Sequence, residues 1–564
     1  MYDQKTSTFI ASPMMEKLKR EKLSASELQN RKHEDWDSNY ELYRNKVKTN
    51  RLTQRQAVNI PLMKETLKTL LSKVDDPPNV DWKELSGDKQ KELIYQEIWD
   101  TQFKDNKIEL IDVLDKKNVL LYGLSVKKLN ISDDGVTVSV LDPYDILLDP
   151  IMSVWDMETS RFLIHQNIFR PIRDIISDER YTKEGKDELK IWVDSPEGIT
   201  QGAKNREEWE KKMERLVSMG VNNGDFAYYA GGDRVVNLTE HHTKVWNEKT
   251  MKFERYVYVY ADDCIELLCE KLVDSIGVDF LPFIMWSEDP EITDIYPDSV
   301  ADLVRTPNKV LNVWYSQLIE NRTLKNFQMH WYSPAQGYTP QTYVPGPGVM
   351  IPAPPSATNR ISDVIQPVEI SGLDDTLTAI QIVTQIVERG TGATAIEKGE
   401  SSEGQQTLGE VQILVGKANE RVTGMAKFYR MAWYELAWKW DKMMQANAPK
   451  FIKLYKMGQS GKIYPKTVYR DDWISEVGYE PIVNSSSEQE AESVKTIQKF
   501  MFILQQFPDN VALRKIARKR MLDSVDLTPE EMKQVEESDE LPQEDLMGGI
   551  QTKLNELSSM GQPV

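Results

Sequence analysis

The chain has 564 residues, of which 40% are hydrophobic and 28% charged, enough apolar material for sizeable cores and too much for a disordered chain. At roughly 150 residues per domain, this is the length of three or four domains or of one large elongated subunit. The net charge of −19 argues against a tight grip on nucleic acid phosphates. A mean hydropathy of −0.52 and the lack of any run of about 18 uncharged apolar residues exclude a membrane-spanning helix.

Two cysteines, Cys264 and Cys269, are too few for a disulfide scaffold or a four-cysteine zinc site, and a reducing interior suits them. The first residues show no apolar core followed by a small-residue cleavage site, so secretion is not expected. The acidic excess is uneven. From Asp523 to Val564 there are eleven acidic residues and two lysines, a net of −9, which reads as a solvated acidic tail.

Residues 1 to about 110 read as helices. Leu67, Leu70, Leu71 and Val74 share one helical face, which Pro77 and Pro78 terminate. Another helix is expected from Val113 to Val126, interrupted at Gly123. Val136, Val138 and Val140 then alternate with Thr137 and Ser139, a strand. Two Asp-Pro corners, at 142–143 and 149–150, bracket the run Ile146-Leu147-Leu148. Strands are expected at Val235–Thr243 and Arg255–Tyr260, with a charged helix over Asn205–Ser218 before them.

From Pro297 the pattern is helical. Thr306-Pro307 reads as an N-cap with proline in the first helical position, and the helix runs to about His330 with Val310, Leu311, Trp314, Leu318 and Ile319 on one face. From Ser333 to Ala357, 25 residues hold seven of the 27 prolines, so that stretch is neither helix nor central strand. Its apolar flanks point to a small ordered module rather than a loose linker. Leu373, Leu377, Ile380, Val383 and Val387 then step at helical spacing, with Asp374 and Asp375 in the first turn. A polar loop spans Gly390 to Thr407. After it, Leu408, Val411, Val415, Ala418, Val422, Met425, Tyr429, Ala432 and Leu436 predict a helix over 408–446, about 58 Å long. Trp433, Ala437, Trp440 and Met444 add a second stripe. Strands follow at Phe451–Tyr455 and Lys466–Tyr469. Ser487 with Glu490 is a capping box opening further helices.

Chemistry is hard to find. Gly399 and Gly404 have phosphate-loop spacing, but Gln405, Gln406 and Thr407 follow where the phosphate-holding lysine belongs, and Glu400 and Glu403 would repel a nucleotide. His241 and His242 adjoin on a strand and point to opposite faces, so they do not readily share a metal. Adjacent acids such as Asp262-Asp263 and Asp471-Asp472 are expected to face water. No such pair has an apolar setting that would raise a pKa for acid–base work. No catalytic residue, metal ligand or cofactor site is assigned.

The order of elements resembles the portal proteins of tailed bacteriophages, especially the large portals of short-tailed phages. LLYGLSVKKLN (120–130) followed by VTVSVLDPYDILLDP (136–150) is similar to the portal wing. PDSVADLVRTPNKVLNVWYSQLIENRTLKN (297–326) resembles the first stem helix, the proline-rich 333–371 the clip, and 373–422 the second stem helix, tunnel loop and long helix. GYEPIVNSSSEQEAE (478–492) resembles the strand and serine turn before the crown helices. The resemblance covers about 110 to 520.

It implies an α+β, predominantly helical portal fold with wing, stem, clip and crown, assembled as a cyclic ring. The divisions would be an N-terminal helical part of the wing (1–110), α/β wing (111–296), first stem helix (297–332), clip (333–371), second stem helix (372–389), tunnel loop (390–407), long wing helix (408–447), wing strands (448–486), helical crown (487–546) and flexible tail (547–564). It implies a ring, typically of twelve subunits, at one capsid vertex of the virion, assembled in the bacterial cytoplasm. Its partners would be the major capsid protein, scaffolding protein, terminase, tail adaptor and double-stranded DNA passing without sequence specificity, with no membrane and no cofactor. Leu311, Trp314, Leu318, Leu377, Ile380 and Val383 would pack between neighbouring subunits in the stem. Tyr338, Tyr343, Val349 and Ile351 would meet terminase or adaptor from the clip. Glu397, Lys398, Glu400 and Glu403 would line the channel. The residues alone also allow a non-enzymatic interaction scaffold unrelated to phage, or a metal-dependent DNA-processing enzyme.

Overall fold

The structure, a computed structural model, describes residues 2–3, 8–9, 13–46, 58–73, 78–132, 135–152, 156–219, 234–291, 294–326, 330–332, 365–369, 374–391, 408–457 and 463–484. The chain forms two compact units. One comprises 1–74 with 83–480, the other 75–82 with 481–564. Among the described residues helix outweighs strand, as an α+β chain rich in helix requires.

After two short paired strands, β1 (Tyr2–Asp3) and β2 (Thr8–Phe9), comes the long helix α1 (Pro13–Tyr43). Next are α2 (Leu62–Lys73), β3 (Asn79–Glu84) and α3 (Lys89–Asp105), whose first N–H groups are capped by the Asp88 carboxylate. Leu67 and Leu70 of α2 are buried, as their spacing predicts. In α4 (Ile108–Tyr122) the helix does not pass through Gly123. Gly123 sits at φ +85° as a left-handed cap, and a Cβ there would lie 2.1 Å from the Pro297 carbonyl oxygen. The chain therefore leaves the helix and enters β4 (Leu124–Ser132), a strand where sequence spacing had extended the helix to Val126.

Two antiparallel sheets follow. β4, β5 (Gly135–Leu141) and β11 (Phe283–Ser287) form one, in the order β11-β4-β5. The Asp-Pro corners bracket β6 (Ile146–Leu148), which opens a five-stranded sheet with β7 (Phe162–Pro171), β8 (Val235–Asn247), β9 (Lys252–Ala261) and β10 (Ile265–Lys271), ordered β10-β9-β8-β7-β6. Helices α5 (Ile172–Ser177), α6 (Lys183–Asp194) and α7 (Pro196–Met219) are inserted between β7 and β8. Their Ile175, Leu189 and Trp192 form a core with Val236, Leu238 and Leu267. From α1, Met15 and Leu18 pack on Tyr258 and Tyr260, and Ala25 packs on Leu147 and Ile164. Further along α1, Trp36 is edge-on to Tyr122, Tyr144 and Tyr296, at 5.7, 5.1 and 5.8 Å.

After α8 (Leu272–Ile276) and β11 (Phe283–Ser287) the chain enters α9 (Val300–Asn326), β12 (His330–Tyr332), β13 (Ile365–Pro367), α10 (Asp374–Thr391) and α11 (Leu408–Ala446). The span of α11 coincides with the predicted one, and its glycines do not break it. Met425, Tyr429, Ala432 and Leu436 of one stripe are buried, and so are Trp433, Ala437, Trp440 and Met444 of the other. Two stripes need partners on two sides. Trp99 of α3 meets Trp440 edge-on at 4.8 Å, and Trp286 of β11 lies 5.2 Å from Tyr429. β14 (Phe451–Met457) and β15 (Ile463–Tyr469) form a hairpin, followed by α12 (Arg470–Trp473) and β16 (Tyr479–Asn484). The expected helices after Ser487 and the acidic tail lie outside the described residues.

Candidate functional site

Helices α9 and α10 pack against each other within the chain and are joined at one end by the antiparallel pairing of β12 with β13. His330 pairs with Pro367 and Tyr332 with Ile365. His330 is therefore a strand residue, not the end of the helix as its sequence position predicts. The pairing brings together the two ends of the proline-rich segment 333–364.

The start of α9 also differs from the expectation. Ser299, not Thr306, caps it. The Asp302 N–H donates to Ser299 Oγ at 3.1 Å, while Ser299 N–H and Oγ–H donate to Asp302 Oδ2 at 2.8 Å each. This is a reciprocal capping box. Pro307 then lies inside the helix, where its missing N–H leaves one carbonyl of the first turns without its usual partner. The Thr-Pro pair looked like a helix start because proline is compatible with both places.

The root of α9 is held by polar side chains at intervals of four. Asn308 Oδ1 accepts from the Met63 N–H at 2.9 Å, Asn312 Oδ1 from Ile60 N–H at 2.8 Å, and Ser316 Oγ from Val58 N–H at 3.1 Å. Positions i, i+4 and i+8 share one helix face, so α9 presents a row of acceptors to residues 58–61 and the first turn of α2. Met63 is in the first turn of α2, where N–H groups have no partner inside the helix. Asn308 thus caps α2 from another helix. From α1, Asn39 Nδ2 donates to Leu121 O at 3.2 Å and to Asp302 Oδ1 at 3.0 Å, and Asp35 pairs with Arg305 at 2.7 Å. The apolar stripe of α9 is legible in the sequence, whereas Asn308, Asn312 and Ser316 stand there as three polar residues at helical spacing among the many others of this helix.

Of the residues expected at a subunit interface, Leu311 and Ile380 are already buried within the chain, and Trp314, Leu318 and Val383 are half-buried. Leu377 is 54% exposed, and on the other side of α10 Ile382 is 52% and Ile386 57% exposed. Gly390 and Thr391, expected in the polar loop, belong to α10, where Thr391 Oγ1 donates to the Val387 carbonyl at 2.8 Å. Glu397, Lys398, Glu400 and Glu403 lie outside the described residues, as do Tyr338, Tyr343, Val349 and Ile351.

Ionisable groups in the interior act as fasteners. Lys116 pairs with Asp112, and Lys127 with Asp115, each at 2.6 Å, and all four side chains are buried. Trp286 Nε1 donates to Asp115 at 2.8 Å, and the Tyr429 hydroxyl of α11 donates to Asp112. Burial raises the Asp112 pKa, against the pull of Lys116. The expectation that adjacent acids face water fails at Asp262. Its Oδ1 accepts from Asn205 at 2.8 Å and from the Asn237 N–H at 3.1 Å, and its Oδ2 from Trp192 Nε1 at 3.0 Å. Burial raises its pKa. With both oxygens occupied, it secures the β9–β10 turn, where Asp262 and Asp263 have φ of 49° and 58°. His241 and His242 have separate partners, Glu21 at 2.9 Å and Glu240 at 2.6 Å. Among the described residues no group of three or more His, Cys, Asp or Glu side chains could hold a metal ion, and no helix is long and apolar enough to cross a membrane.

The family model described as the phage SU10 portal protein matches residues 35–523, which takes in every element from α2 to β16. A search of curated proteins finds no match.

Proposed function

We infer how this chain divides its work from the family to which it belongs, that of the phage SU10 portal protein. It is a structural portal protein of DNA packaging, and a portal works as a ring at a capsid vertex, with capsid, terminase and tail partners. In our reading twelve subunits close the ring, and α9 with α10 form the stem that walls the channel. Leu311 and Ile380 hold the two helices of one subunit together, while Leu377 on one side of α10 and Ile382 with Ile386 on the other meet the two neighbouring subunits. Segment 333–364 is the clip. Through Tyr338, Tyr343, Val349 and Ile351 it meets terminase first and the tail adaptor later. The segment 392–407 faces the channel with Glu397, Lys398, Glu400 and Glu403. One cation among three carboxylates cannot hold phosphate, so double-stranded DNA slides past whatever its sequence. The sheets of the wing face the major capsid protein and the scaffolding protein during assembly in the host cytoplasm. The protein itself catalyses nothing.

The observation that carries this reading is the pairing of β12 with β13 at the end of the α9–α10 hairpin. It brings the residues that precede and follow the proline-rich segment side by side at the end of two packed helices, which supports reading that segment as the clip. Native mass spectrometry with electron microscopy of the purified chain tests the ring. Closed rings of one size are expected, and a monomer or an open polymer refutes it.

A further inference from the structure

The β8–β9 hairpin ends in an exposed apolar tip. Trp246 and Phe253 are cross-strand partners with ring centroids 5.0 Å apart, edge to face. They are 45% and 67% exposed, and Met251 in the turn between them is 69% exposed. Exposed Glu248, Lys249 and Lys252 flank these apolar groups, two cations to one anion. A rigid strand pair that holds three large apolar side chains in water has the form of a knob.

The chain also carries a hole. A cleft of about 250 Å³ lies between β11 and α11, lined by Met285, Trp286, Phe428 and Met431. Glu435, paired with Lys439 at 2.8 Å, also lines it, and Glu288, Asp289 and Glu291 adjoin its lining residue Pro290 in the chain, so negative charge gathers beside an apolar floor. Met431 is 58% exposed there.

Knob and hole lie on opposite sides of residues 279–283. His242 of β8 is edge-on to Phe283 of β11 at 5.1 Å, and Arg255 of β9 donates to the Asp279 carbonyl. The hairpin therefore runs alongside 279–283, and its tip lies beyond 279. The cleft begins at the other side, past residue 285. Helix α11 has the same polarity. Its residues 428–435 line the cleft, Lys439 donates to the Phe283 carbonyl at 2.7 Å, and Asn447 reaches the Ile276 carbonyl at 2.7 Å. One chain thus cannot fill its own cleft with its own tip. A head-to-tail ring needs such a pair of unlike surfaces on each subunit.

We propose that the Trp246–Met251–Phe253 tip of one subunit seats in the β11–α11 cleft of the next, with Lys249 and Lys252 facing the acidic edge. The inference rests on the ring reading above and adds a second contact, remote from α9 and α10. It is tested by disulfide trapping in the full chain with C264A/C269A as background. M251C/M431C should give, on oxidation, a ladder of covalently linked subunits up to the ring, while M251C alone and M431C alone give no ladder. W246E/F253E should lower the fraction of ring at least tenfold at a concentration where the unaltered chain is fully assembled. Rings of M251C/M431C without a ladder overturn the contact while leaving the ring reading intact. An unaltered chain that forms no ring overturns both.

Discussion

Asn308→Ala separates the polar row on α9 from its apolar stripe. Asn308 is 1% exposed, and the Met63 N–H it accepts from belongs to a fully buried residue. The substitution strands that N–H away from water and also removes the donor to Ile60 O at 3.3 Å. A buried donor left without a partner costs about 1–3 kcal/mol. Alanine favours the helix over asparagine by roughly 0.5 kcal/mol, which opposes this loss in any global melting curve. A chain of this length, assembled in rings, also does not unfold in two states. Local hydrogen exchange is therefore the suitable assay. The peptide holding residues 58–63 should exchange roughly 5- to 150-fold faster in N308A, from the 1–3 kcal/mol above. The peptide covering Trp433–Met444 of α11 should not change. Asn312→Ala should accelerate the same 58–63 peptide less, because Ile60 is only partly buried. Unchanged protection of 58–63 in N308A would show that segment and helix are held by something other than the amide row.

One of the buried histidines gives a pH prediction. Burial holds the His241 imidazole below its ordinary pKa, more strongly than Glu21 at 2.9 Å raises it, with His242 and Lys22 also lowering it. The folded chain thus keeps the ring neutral while the unfolded chain protonates near 6.5. The stabilisation is present above that value and is lost as pH falls through it, by at most about 1.4 kcal/mol per pH unit. His241→Gln should flatten the fall in melting temperature between pH 7 and pH 5, and an unaltered pH profile would exclude His241 as its source. Deleting residues 335–357 should leave soluble rings that package no DNA, and normal packaging would remove the clip assignment. E397K/E400K/E403K adds six charge units per subunit and should slow DNA passage in a salt-dependent way. Wild-type packaging and ejection kinetics at low salt would show that this segment does not line the channel.

Long periodic patterns were legible in the sequence, and local departures from them were not. The nine apolar positions of 408–436 specify α11 because steps of three and four keep one face through about eight turns. The β5 alternation at 136–140 is equally direct. Gly123 was visible as an interruption, but not that the Pro297 carbonyl approaches it so closely that the helix must end there. At Thr306-Pro307 a local signal lost to a better cap at Ser299. At Asp262, the rule that paired acids face water failed because Trp192, Asn205 and Asn237 converge on it from 25 to 70 residues away. The candidate stem was found by its apolar stripes. The polar row that holds it was not, since its partners are backbone groups some 250 residues away that no side-chain pattern announces.

The two long helices are fixed by different means, and the difference follows from their surroundings. An apolar stripe with steps of three and four presents nearly the same face after one helical turn, so packing alone resists a slip of about 5.4 Å only weakly. Helix α11 lies in an interior where such a slip would otherwise be tolerated, and it carries three buried polar groups at unrelated points. Tyr429 donates to Asp112, Lys439 to the Phe283 carbonyl at 2.7 Å, and Asp441 accepts from the Tyr95 hydroxyl at 2.7 Å. These groups span twelve residues, or about 18 Å of helix. A one-turn slip would break all three bonds and strand buried groups at about 1–3 kcal/mol each. Together that is several kcal/mol, comparable with the whole net stability of a domain. Buried ionic and polar pairs add little net stability over well-packed apolar residues, so their contribution here is to select one register among several. The neutral polar row of α9, two amides and a hydroxyl, does the same for that helix. There the partners are backbone N–H groups of residues 58–60 and of the first turn of α2, so one amide or hydroxyl every four residues suffices.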